Sequence, residues 1–144
     1  MIVNYKKLSS NATPPFRATE NSAGADLFAH LESDITIKSG ERRLVPTGIA
    51  IEVPMGYGGF VFPRSSVSTK HGISLANCVG VIDADYRGEV MVSLINHGDA
   101  AYTVKNGNRI AQLVIMPVEA AVFDEKSQLS DTVRGAGGFG STGI

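Results

Sequence analysis

Apolar and polar positions alternate along this chain in short bursts. Runs rich in Val, Ile, Thr and Phe are cut by sixteen glycines and six prolines, the texture of brief strands joined by tight turns. The pattern predicts strands over residues 34–38, 49–53, 59–62, 79–82, 90–96, 102–104 and 109–118. Pro14, Pro46, Pro54, Pro63 and Pro117 fall at the edges of these runs or between them, where a missing backbone donor is tolerated. No stretch keeps apolar residues at i, i+3, i+4 and i+7 over three turns, so long amphipathic helices are not expected. One short helix is predicted, from residue 65 or 66 to 71, with a serine cap at its start and Gly72 as its stop. The predicted class is all-β, and a barrel or two-sheet roll is the economical way to remove so many exposed edges. Part of such a surface is expected to be closed by oligomerisation. The chain shows no internal repeat.

Length and charge narrow the picture. A chain of 144 residues with 43% hydrophobic content can bury a core but is short for two domains. A formal charge of −1, a pI near 6.3 and the lack of a basic block argue against polymeric nucleic acid or an anionic membrane as the main partner. A small anionic ligand remains compatible. Cys78, the only cysteine, can form no internal disulfide and no Cys-x-x-Cys site. The first ten residues, MIVNYKKLSS, lack the apolar stretch of a secretory signal, and no segment reaches the roughly 18 apolar residues of a spanning helix. The expected location is cytoplasmic, or a host cell's cytosol if the source is viral. His30, His71 and His97 are scattered, without the short spacings of a zinc site, and read as structural or surface residues.

Three segments carry candidate chemistry. The last eleven residues, RGAGGFGSTGI, hold five glycines, Arg134, Phe139, Ser141 and Thr142. On composition such an end is as readily disordered as functional. Yet glycines let backbone N–H groups approach phosphate oxygens, an arginine forks onto them, and a ring stacks on a base. It is not a Walker P-loop, because the GxxxxGK[ST] lysine is missing. The second segment, FPRSSVSTKHG, places Arg64, Ser65 and Ser66 at the opening of the short helix, where anions are favoured. An ordinary serine cap beside a solvated arginine is the plainer reading of that segment alone. The third, NCVGVIDADYRGEVMVSL, reads as a β-hairpin bearing Asp83, Asp85 and Tyr86 at its bend. Carboxylates two apart in extended chain face one way, and one of them can act as a general base on water. Alternatively, Asp85 starts a turn and Asp83 is merely polar.

Taken together, AGADL from Ala23, PRSS from Pro63, NCVGVIDADYRG from Asn77, GNRIAQLV from Gly107 and RGAGGFGSTG from Arg134 resemble the five motifs of the homotrimeric dUTP pyrophosphatase (dUTPase) family, in order and spacing. The resemblance spans nearly the whole chain. It implies a jelly-roll domain over residues 1–133 and a C-terminal arm, 134–144, closing over an active site at a subunit boundary of a trimer. It implies water attack on the α-phosphorus of dUTP, giving dUMP and pyrophosphate, a reaction that supplies the dTTP precursor and keeps uracil out of DNA. It implies Mg²⁺ held mainly by the triphosphate and water, with Asp26 reaching it through water. Asp83 matches the base that deprotonates the attacking water, and Asp85 then becomes a turn residue. Tyr86 matches the ring that excludes a 2′-hydroxyl, and Asn77 the residue that hydrogen-bonds the uracil edge, with backbone around Val81, Ile82 and Met91 completing base recognition. Arg64, Ser65 and Ser66 match phosphate contacts, and Gln112 a contact to phosphate or to the water network. Arg134 matches a partner of the γ-phosphate, Phe139 a ring over the uracil, and Ser141 and Thr142 contacts to the terminal phosphates. Ser66 stands where many relatives have glycine and Asn108 where aspartate is frequent; neither removes a group the chemistry requires. Two competing readings are a dCTP deaminase of the same superfamily, which needs a catalytic glutamate, and a nucleotide-sensing regulatory module.

Overall fold

A computed structural model describes residues 1–139, most of whose strands fold into two antiparallel four-stranded sheets. The first runs in the order β1 (Asn4–Lys7), β4 (Arg42–Glu52), β8 (Glu89–Asn96) and β6 (Ile73–Leu75). The second runs β2 (Ala25–Phe28), β10 (Arg109–Pro117), β5 (Tyr57–Phe62) and β7 (Gly80–Ile82). A small pair, β3 (Ile35–Ile37) and β9 (Tyr102–Val104), completes the strands. The only helix among the described residues is α1, Ser65–His71. The fold is an all-β jelly roll.

The two-residue period produces the core. Along β8, Val90, Val92, Leu94 and Asn96 are buried while the intervening residues are not, as a strand with one face inward requires. Val90, Val92 and Leu94 join Val45, Ile49 and Ile51 of β4 and, from the opposite sheet, Leu27, Val61, Ala111 and Leu113 in one apolar cluster. Each such side chain contributes about 1.5–3 kcal/mol by leaving water. Asn96 is wholly buried but fully engaged. Its Nδ2 donates to the carbonyls of Ile37 and Ala100, at 2.9 and 2.8 Å, and its Oδ1 accepts from Gly98 N.

The fold departs from the sequence reading in four places. Strand β4 begins at Arg42, not at 49, and carries Pro46 in its interior. The proline is accommodated because pairing with β8 shifts register between Pro46 and Ala50, and Gly48 adopts φ 69° at that bulge. The Gly48 N–H, left without a ladder partner there, donates to Glu89 Oε1 at 2.7 Å. Strands β1, β2 and β6 have only three or four residues and show too little alternation to be predicted. Helix α1 is capped at Arg64, without a side-chain cap, while Gly72 ends it in the left-handed conformation as expected. Finally, the predicted hairpin is an arch. Strand β7 pairs with β5 and β8 with β4 and β6, so residues 83–88 cross from one sheet to the other. No helix among the described residues is long and apolar enough to cross a membrane.

Candidate active site

The arch gathers the predicted base-recognition residues around one cavity. Its volume is about 210 Å³, and Asn77, Val81, Ile82, Asp83, Tyr86 and Met91 all line it. Strand β7 supplies Val81 and Ile82, the crossing turn Asp83 and Tyr86, and β8 Met91. The turn is held by its own chain. Tyr86 N donates to the Asp83 carbonyl at 3.1 Å, and the Tyr86 hydroxyl donates to the Glu89 carbonyl at 2.9 Å. Arg87 donates to the carbonyls of Ala84 and Tyr86 at 2.7 and 2.9 Å and reaches Glu52 Oε1 of β4 at 3.3 Å. The Asp83 carboxylate is exposed and makes no hydrogen bond among the described residues, leaving its oxygens open to a water or ligand. Asp85 does not line the cavity, consistent with a turn residue.

The predicted phosphate residues line a second cavity, of about 310 Å³. Asp26, Arg64, Ser65, Ser66 and Gln112 surround it with Gly24 and neighbouring residues 18, 22 and 23. Sheet register explains the grouping. Gln112 of β10 lies opposite Asp26 of β2 on one side and Phe62 of β5 on the other, and directly paired residues share a sheet face. Two residues after Phe62 comes Arg64. Its Nε donates to Asp26 Oδ1 at 2.7 Å, and its Nη1 to Ser66 Oγ at 3.2 Å. Gln112 Nε2 donates to the Pro63 carbonyl at 3.0 Å, tying the strand to the loop that leads into α1. Gly24 is required by space, since a Cβ there would sit 2.7 Å from Gln112 Oε1 and 3.2 Å from its Cβ.

Arg109 joins this site from a position the sequence reading did not single out. Its Nη1 donates to Asp26 Oδ2 at 3.1 Å, so the nearly buried Asp26 carboxylate lies between two guanidinium groups. The signal was present, because Arg109 lies within GNRIAQLV, but the pairing spans 83 residues and only strand register reveals it. Glu89 is the second such residue. It lines the base cavity, although its Oε1 is engaged by Gly48 N.

The two cavities share no lining residue. Among the described residues, none of the arm lines either cavity. Arg134 Nε donates to the Gly137 carbonyl and Phe139 is fully exposed, while Ser141 and Thr142 lie outside the described residues. Residues 117–136 are exposed without interruption, with Val122 and Phe123 93% and 95% accessible. A larger cavity, of about 370 Å³, lies on the β1 and β4 side and holds none of the predicted site residues. It is framed by Asn4, Tyr5, Glu52 and Arg87, the groups that brace the arch from behind.

No group of three or more His, Cys, Asp or Glu side chains among the described residues forms a metal cage. Each oxygen of Asp26 already accepts from an arginine, leaving lone pairs suited to a metal-bound water. With both oxygens engaged by guanidinium groups, this carboxylate suits an outer contact through water and not direct metal ligation.

Known proteins resemble this chain over most of its length. The family model described as dUTPase matches residues 10–143. A deoxyuridine 5′-triphosphate nucleotidohydrolase of Rickettsia felis is 50% identical over 143 residues, covering 99% of this chain and 97% of the relative. The solved structure of the Staphylococcus bacteriophage 80alpha dUTPase with dUPNHPP superposes with a TM-score of 0.90 at 29% identity, covering 99% of both chains. A dUTPase from phage phi11 of S. aureus, described for its coordination of a structural Mg(II) ion, matches with a TM-score of 0.79 at 25% identity, covering 89% of this chain and 98% of the other. With the matched residues spanning nearly its whole length, this chain belongs to the dUTPase family.

Proposed function

We propose that the base cavity and the phosphate cavity are two halves of one dUTP site, completed when copies of this chain assemble. The chain is a dUTP diphosphatase, hydrolysing dUTP to dUMP. The observation that carries the two-half reading is the separation within one chain of the residues for base and phosphate. A homotrimer with sites at its boundaries brings Asp83 of one copy beside Arg64 of another, and residues 117–139 supply the reach for the arm. The bare apolar side chains of Val122 and Phe123 favour covering by a second copy.

Asp83 accepts a proton from water as that water attacks the α-phosphorus. The P–O bond to the β-phosphate breaks, and dUMP and pyrophosphate leave. Asn77 and the backbone around Val81, Ile82 and Met91 hold the uracil edge. Cytosine exchanges a donor for an acceptor there, and each mismatched buried polar group costs about 1–3 kcal/mol. Tyr86 closes the space a 2′-hydroxyl would need. Arg64, Ser65, Ser66 and Gln112 hold phosphate oxygens from the loop and helix start. Arg134 pairs with the γ-phosphate, Phe139 covers the base, and Ser141 and Thr142 hold terminal phosphates. The cofactor is Mg²⁺, which the triphosphate would hold, with Asp26 contributing through water. When bound it neutralises phosphate charge and makes the phosphorus more open to attack. The location we assign is cytoplasmic.

The deaminase reading loses support from one contact. Glu89 is the only glutamate lining the base cavity, and it is tied to the β4 bulge through Gly48 N. The test of the function is pyrophosphate release from dUTP, dCTP, dTTP and UTP, with wild type and Asp83→Asn. Turnover of dUTP alone, reduced about 10²–10⁴-fold in kcat by the substitution, is expected. Equal turnover of dUTP and UTP, full activity of Asp83→Asn, or ammonia released from dCTP would contradict it.

A further inference from the structure

The sugar-facing tyrosine owes its position to a glycine. Tyr86 folds back along its own chain so that its hydroxyl meets the Glu89 carbonyl three residues on, and the ring must cross Gly88 to get there. A Cβ on Gly88 would lie 2.4 Å from the Tyr86 oxygen, 2.6 Å from Cζ and 3.0 Å from Cε2. Carbon and oxygen atoms do not pack at the first two of these distances. Nor does the backbone call for glycine here. The described glycines with positive φ are 40, 48, 56, 72, 107 and 135, and Gly88 is not among them. The turn beneath the ring is firm, because Arg87 bonds the Ala84 and Tyr86 carbonyls and anchors on Glu52. The ring itself is not, being 44% exposed with solvent to swing into. A side chain at 88 therefore displaces the ring while leaving the turn in place.

We propose that Gly88 is a positioning residue for sugar selectivity: by presenting bare backbone, it lets the Tyr86 ring lie flat with its hydroxyl on Glu89, the pose that excludes a 2′-hydroxyl. This rests on the reading of Tyr86 given above. A merely structural glycine would affect dUTP and UTP alike, whereas a glycine that sets the ring changes their ratio. Apolar exclusion of one hydroxyl is worth about 10²-fold in kcat/KM, and displacement of the ring forfeits about tenfold or more of it.

The experiment compares kcat/KM for dUTP and UTP, with thermal midpoints, in Gly88→Ala, Tyr86→Ala and the double variant. The expected result is a dUTP to UTP preference reduced about tenfold or more in Gly88→Ala, mainly through faster UTP turnover, at a nearly unchanged midpoint. In the Tyr86→Ala background, alanine at 88 should change the preference no further. Gly88→Ala with full preference, or with both substrates slowed by one factor, overturns the inference while leaving the Tyr86 reading intact. Full preference in Tyr86→Ala overturns the Tyr86 reading itself. Should Gly88→Ala fail to fold, the double variant decides: folding restored by removal of the ring supports the steric relation, and continued misfolding overturns it.

Discussion

The base cavity and the phosphate cavity are built by opposite means. The first is shaped by backbone. Its turn is fixed by bonds to the carbonyls of Asp83, Ala84, Tyr86 and Glu89, and its exposed lining joins Val81, Tyr86 and Met91 to Asn77 and Asp83. The second is shaped by charge, with the Asp26 carboxylate gripped by Arg64 and Arg109 and the loop tied down by Gln112. A base is distinguished by the order of donors and acceptors along its edge, which rigid backbone reads well. A triphosphate is mostly charge, which a planar fork held at a fixed angle reads well. The acidic partner is what makes the second device work. Without Asp26, the Arg64 side chain would sample many rotamers at a cost of about 1.5–2 kcal/mol to order; with it, the guanidinium is held before the ligand arrives.

The largest effect that separates the two halves is expected on the charged side. Arg64→Gln removes a charge-assisted contact worth about 1.5–3 kcal/mol, or about 10- to 150-fold in kcat/KM. It should also flatten the salt dependence of KM, because one screened charge is gone. If Arg64→Gln bound dUTP as wild type does at every ionic strength, charge would not define that cavity.

A smaller effect is expected on the backbone side. Asn77→Ala should cost about 1–3 kcal/mol in kcat/KM for dUTP, narrow the preference for dUTP over dCTP, and leave the salt dependence unchanged. A changed salt slope with an intact base preference would reverse the roles of the two cavities.

The smallest effect concerns the brace behind the arch. Glu52 accepts from Asn4 Nδ2 at 2.8 Å and from Arg87, and the Asn4 hydrogen bond, then the Arg87 charge, holds its carboxyl below the ordinary value of 4.5. A carboxylate depressed in the folded state stabilises above its unfolded value, and that contribution disappears as pH falls through the folded value. The thermal midpoint should therefore decline more steeply in wild type than in Glu52→Gln as pH drops below 4.5. The group is exposed to solvent, so the difference should be small. Parallel pH profiles for the two proteins would remove Glu52 from the brace.

Much of this organisation was legible in the sequence because it was local. Short alternating runs, the Gly72 stop and the absence of long helical patterns describe what individual segments prefer. Four of the five ordered motifs likewise named residues that line the two cavities, while the described part of the fifth, the arm, lines neither. What could not be read was non-local. Alternation in 79–82 and 90–96 says that each is a strand, but not that the two join different sheets. Pro46 and Gly48 look like breaks until β8 is present to accept a bulge between them. Arg109 looks like any strand arginine until β2 brings Asp26 beside it. Gly88 is one of sixteen glycines until the ring of Tyr86 is seen to cross it.

The most direct measurement of the claim that base and phosphate halves come from different copies is subunit complementation. Asp83→Asn chains, reduced about 10²–10⁴-fold, and Arg64→Gln chains, reduced about 10- to 150-fold, would be co-expressed in equal amounts and assayed for pyrophosphate release from dUTP at limiting substrate. If a site takes Asp83 from one copy and Arg64 from another, random mixing gives one half times one half of the sites both intact groups, and activity returns to about a quarter of wild type. If the mixture stays as inactive as its parents while forming mixed oligomers, each site draws both groups from one chain, and the account is contradicted.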